Sequence, residues 1–109
     1  MFDGADEVHL LEIVRERIVG AFQPLRLILF GSRARRDARP DSDLDLLVVF
    51  ESVADKRRLA VEIRRALSDL PLAKDIIVTT PEEIARRGNL VGSILRPALR
   101  EGRVVFERS

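Results

Sequence analysis

The stretch GSRARRDARPDSDLDLLVVF, from Gly31 to Phe50, sets Asp43 and Asp45 at the head of an apolar run formed by Leu44, Leu46, Leu47, Val48, Val49 and Phe50. In an extended chain successive side chains point to opposite faces, so Asp43 and Asp45 project together. The near-continuous apolar run is that of a strand covered on both faces, and therefore internal to its sheet. Asp is a poor strand former, and an ionised carboxylate in a low-dielectric setting is costly unless a positive group compensates it. Two like charges about 6–7 Å apart along the strand add repulsion to that cost. A hard divalent cation relieves both, because Mg²⁺ takes oxygen ligands and fills its other positions with water or phosphate. Turn chemistry after Pro40 accounts equally well for Asp41 and Ser42. It does not account for Asp45, which lies inside the apolar run.

A second apolar strand, Leu25 to Phe30, ends at Gly31-Ser32, and Ser32 to Arg36 reads as one helical turn with Ser32 as its cap. A strand that runs through glycine into a helix start gathers unpaired backbone N–H groups at one point, which favours an anion. Phosphate is the natural occupant: glycine permits close approach, the Ser32 hydroxyl can donate, and Arg33 or Arg35 can add charge. An ordinary strand-to-helix turn would look the same in isolation; the aspartates that follow direct this one toward phosphate. The chain contains no GxxxxGK[ST] loop.

Gly-Ser, a short Arg-rich turn, then Ser-Asp-Leu-Asp and aliphatics resembles the signature of the minimal nucleotidyltransferases of the DNA polymerase beta superfamily. The resemblance implies that Gly31 and Ser32 bind the triphosphate, that Asp43 and Asp45 bind Mg²⁺, and that a third carboxylate on a later strand completes the site. Lys74 to Thr79 is the strand that fits, and Asp75 is its acid. The family assigns that third acid either to the metal or to general-base work on the attacking hydroxyl. ATP is the donor the resemblance favours. Stand-alone domains of this kind are often encoded with a helical HEPN protein, and some are antitoxins that transfer AMP to that partner, commonly at a tyrosine. Two other readings stand beside it: a non-catalytic module that only binds its partner, and nucleotidyl transfer to RNA or a small molecule, for which the chain has no appended recognition domain. One departure concerns Arg36, where relatives frequently have glycine. If that position requires a positive φ, arginine carries strain that glycine avoids; the favoured expectation is that Arg36 extends the short helix by a residue and faces solvent.

Composition narrows the setting. With 109 residues and 46% hydrophobic content the chain holds enough apolar material for one core, so a single domain over residues 1–109 is expected. Cysteine is absent, which excludes disulfides and thiolate metal sites. His9 is the only histidine, so no imidazole cluster forms, and it is expected to be an exposed helix residue. The acidic start lacks the order of a signal peptide and no apolar run reaches membrane-spanning length, so the cytoplasm is the expected address. A net charge of +1 gives no global pull toward nucleic acid. The pairs Arg57-Arg58, Arg64-Arg65 and Arg86-Arg87 read as solvated helix faces.

Around these strands, Leu11, Val14, Ile18 and Phe22 recur at helical spacing from Asp6 to Phe22, and a second helix spans Ala54 to Leu70. A short helix begins at Pro81 and stops near Gly88. Asn89 to Arg100 is apolar at helical positions, but Pro97 is expected to kink or split it. Arg103 to Glu107 reads as a last, edge strand. The expected fold is α/β: a mixed sheet of three to four strands, helices mainly on one face, and the aspartates on the open face.

Overall fold

A computed structural model describes residues 4–39, 41–88 and 95–108 of the chain. The elements follow in the order α1 (Gly4–Phe22), β1 (Arg26–Phe30), α2 (Ser32–Arg35), β2 (Leu44–Val49), α3 (Lys56–Ala66), β3 (Lys74–Thr79), α4 (Pro81–Arg87), α5 (Leu95–Glu101) and β4 (Arg103–Glu107). The strands form one sheet in the order β3-β2-β1-β4. β2 runs parallel to β3, while β1 is antiparallel to both β2 and β4. The sheet is therefore mixed, and β2 is internal, as its apolar sequence requires.

Alternation along the strands divides the core in two. Leu27, Leu29, Leu44, Leu46, Val48, Ile76 and Val78 face α1 and α3, where Val14, Ile18, Ala60, Ile63 and Leu67 complete the larger cluster. Each fully buried aliphatic here contributes about 1.5–3 kcal/mol of transfer free energy. Ile28 and Leu47 point the other way and meet Leu95 and Ala98 of α5. The face expected to be open is thus partly covered: a small second core sits over its centre.

Local signals place the helix ends. Asp55 caps α3 by accepting from the Arg58 N–H at 3.1 Å, and Thr80 caps α4 by accepting from the Glu83 N–H at 3.2 Å, with Pro81 in the first turn. Pro97 lies within α5, which is continuous from Leu95 to Glu101; the part of the expected segment that precedes Leu95 lies outside the described residues. Leu90 and Ile94, which the sequence assigns to the same apolar face, lie outside the described residues. His9 is exposed on α1. Among the described residues no helix is long and apolar enough to cross a membrane.

Candidate active site

Strand direction brings the acidic residues to one end of the sheet. β1 and β2 are antiparallel, so the last residue of β1, Phe30, stands opposite Asp45, the second residue of β2. β2 and β3 are parallel, so Asp45 also stands opposite Asp75, the second residue of β3. Neighbouring strands lie about 4.8 Å apart, and the two carboxyl side chains share the face that carries Leu47 and Ile77. Asp43 comes just before β2, two residues from Asp45. Asp43 and Asp75 are exposed, whereas Asp45 is partly buried.

None of the three carboxylates has a hydrogen bond or ion pair among the described residues. Lys74, the nearest cation in sequence to Asp75, instead donates to the Leu70 carbonyl at 2.7 Å. Burial pushes the Asp45 carboxyl above the ordinary carboxylate value, and repulsion from Asp75 and Asp43 pushes it further, against the pull of Arg33 and Arg35. The acids are thus close enough to feel one another. As the side chains lie, no three His, Asp or Glu residues among those described form a ligand cage. The donor set nevertheless fits a hard cation: carboxylate oxygens only, mutually repelling and without an ion pair among the described residues, in a chain without cysteine.

Gly31 abuts this cluster. Its φ is +73°, and a Cβ built there would overlap Asp45 Oδ2. Glycine is required twice, by conformation and by the carboxylate beside it. The expectation that Ser32 caps α2 is corrected: Gly31 is the N-cap, Ser32 is the first helical residue, and no side chain caps the turn. The Ser32 hydroxyl makes no hydrogen bond among the described residues. Arg36 also departs from expectation. It does not extend the helix but ends it as an exposed left-handed C-cap at φ +65° and ψ 27°, the conformation for which glycine is best suited.

The two arginines proposed for phosphate differ. Arg35 is exposed and stands 3.4 Å from Asp37. Arg33 is buried: its guanidinium donates to Glu7 Oε2 of α1 at 2.6 Å and to the Ser42 carbonyl at 2.8 Å. Burial and these partners fit a brace better than a phosphate ligand, and sequence offers no sign of it, because Glu7 lies 26 residues away.

The nucleotidyltransferase domain family profile matches residues 9–103 of the chain. Solved structures share the fold. A candidate nucleotidyltransferase from Sulfolobus solfataricus is 22% identical, with a TM-score of 0.62 over 95% of this chain and 86% of that one. A toxin-antitoxin structure with AMP-PNP is 18% identical, with a TM-score of 0.51 over 94% of this chain and 74% of that one. No curated protein sequence matches.

Proposed function

The chain belongs to the nucleotidyltransferase domain family, and on that premise we propose that it transfers AMP from ATP to a hydroxyl of a toxin partner, as an antitoxin acting in the cytoplasm. The observation that carries this reading is the apposition of Asp45 and Asp75 on adjacent parallel strands, beside Gly31 and with no ion pair to either among the described residues. The acceptor is read as a hydroxyl presented by another molecule. The toxin-antitoxin neighbour with AMP-PNP supports both an adenine nucleotide and a toxin as that molecule. Resemblance to the minimal nucleotidyltransferases adds that the toxin is of the HEPN type.

In this reading the acceptor oxygen forms a bond to the α-phosphorus, the bond to the bridging oxygen of the β-phosphate breaks, and pyrophosphate leaves. Asp43, Asp45 and Asp75 would hold Mg²⁺, which neutralises charge on the phosphates and orients them when bound. Gly31 lets backbone approach the phosphates, the Ser32 hydroxyl donates to a phosphate oxygen, and Arg35 supplies charge from the rim. Asp75, exposed at the edge of the cluster, either completes that metal site or takes the proton from the attacking hydroxyl. Most of the rate in such a transfer comes from positioning and charge neutralisation, for which these few residues suffice.

The test is to incubate the purified chain with α-labelled ATP, Mg²⁺ and the protein encoded beside it. Label in that partner, lost with Asp45→Asn, is the expected result. Neutralisation of the partner with no transfer of label would mean a binding module; label in RNA or a small molecule would move the acceptor elsewhere.

A further inference from the structure

We propose that Arg33 is a positioning residue that locks Asp43 to the Gly31-Ser32 turn, with Glu7 of α1 holding its guanidinium in place. The proposal rests on the reading of the acidic cluster given above and assigns to Arg33 a role other than phosphate contact.

Arg33 is the one buried charged residue among those described, with its side chain 1% exposed. A buried ion pair is weak grounds for stability, since apolar groups of similar volume commonly do as well. What a guanidinium adds is direction: a planar fork whose donors reach fixed acceptors at fixed angles. Here the fork joins three pieces of chain. Its root is in α2, directly after Gly31-Ser32; one donor reaches Glu7 of α1 at 2.6 Å; another reaches the Ser42 carbonyl at 2.8 Å.

Ser42 is the residue before Asp43, and the peptide whose carbonyl Arg33 grips is the one that carries the Asp43 nitrogen. The same loop is closed on itself, because the Arg39 N–H donates to Ser42 Oγ at 2.8 Å and the Ser42 N–H donates to the Arg39 carbonyl at 3.0 Å. Asp45 needs no such aid, since β2 holds it between β1 and β3. Asp43 lies outside the strand and is exposed, so its position relative to Asp45 depends on how its loop is anchored. Arg33 supplies the anchor that runs directly from the turn to that loop.

The loss of an outer partner that orients a metal ligand typically weakens metal binding by about 10–100-fold. Arg33→Met is made together with Glu7→Gln, so that no buried charge is stranded; Arg33→Lys alone is the milder variant, keeping the charge without the fork. Two readouts are taken on the full chain: amide hydrogen exchange of residues 37–43, and Mn²⁺ binding followed by electron paramagnetic resonance. The expected result is faster exchange confined to residues 37–43, with α3 and β3 still protected, and Mn²⁺ affinity lowered about tenfold or more in the double variant. Arg33→Lys is expected to fall between it and the wild type.

Unchanged exchange in residues 37–43, or wild-type Mn²⁺ affinity in the double variant, would overturn the proposal. So would loss of protection throughout the sheet in Arg33→Lys, which would make the pair a general prop. If the wild type shows no Mn²⁺ binding that Asp45→Asn removes, the reading of the cluster fails separately. The exchange measurement then decides the tie by itself, for or against.

Discussion

Asp45 of β2 faces Asp75 of β3 across a parallel strand pair, and neither carboxylate has a hydrogen bond or ion pair among the described residues. Sheets rarely place like charges side by side, because directly opposed like charges destabilise the pairing. The arrangement costs the fold stability and is useful only if something positive enters.

That cost can be measured. The folded chain raises the Asp45 carboxyl above its ordinary value, so between the two values the folded state keeps a proton that the unfolded state has released. Stability therefore falls as pH rises through that window, and the loss is complete above it. Asp45→Asn removes it. Because Asp45 is only partly buried and water screens it, the gain at neutral pH is expected to be about 0.5 kcal/mol, or ~2–4 °C in Tm, fading in acid. Thermal melts of both proteins across about pH 4–7.5 check the sign, and a variant less stable than wild type at neutral pH would contradict it.

The same repulsion predicts stabilisation by divalent cations. Mn²⁺ or Mg²⁺ is expected to bind the folded chain and not the unfolded one, so Tm should climb with cation concentration and keep climbing past saturation. The rise should disappear in Asp45→Asn. An equal rise in both proteins would place the cation elsewhere.

Gly31→Ala tests the turn. The new methyl group meets Asp45 Oδ2 while the backbone stays at φ +73°, so both strain and overlap act against it. A loss of about 1–3 kcal/mol by chemical denaturation is expected, with label transfer abolished. A near-neutral result would mean that the Asp45 side chain moves aside freely.

Arg36→Gly should act the other way. Arg36 holds φ +65° at an exposed C-cap, where a side chain pays for a left-handed conformation that glycine adopts without strain. A gain of about 0.5–1 kcal/mol is expected in denaturant titration, and a loss would show that the arginine side chain makes up for its own strain.

Much of this fold could be read from the chain before its coordinates. Strands with strong apolar patterning, Lys74–Thr79 and Arg103–Glu107, were delimited to the residue, and the long helices were found from the spacing of Val14 and Ile18 and of Leu59 and Ile63. Asp45 stood out because it interrupts a buried run. What could not be read depends on distance or on backbone angles. The opposition of Asp45 and Asp75 follows from strand register, which neither segment encodes alone. The burial of Arg33 depends on Glu7, remote in sequence, so nothing local showed that a residue read as a phosphate ligand lies buried against α1. Arg36 adopts an angle that its side chain disfavours; the glycine of relatives raised that possibility, but propensity favoured a continued helix. The second core over Ile28 and Leu47 was missed because Pro97 suggested a broken helix, whereas Leu95 to Glu101 is continuous through it.

The central claim is that Asp43, Asp45 and Asp75, beside Gly31, form a centre for metal and nucleotide. Calorimetric titration of the purified chain with AMP-PNP, with and without Mg²⁺, tests it most directly. The account predicts binding that requires Mg²⁺ and is lost in both Asp45→Asn and Asp75→Asn. Binding that persists in those variants, or that is indifferent to Mg²⁺, would contradict it.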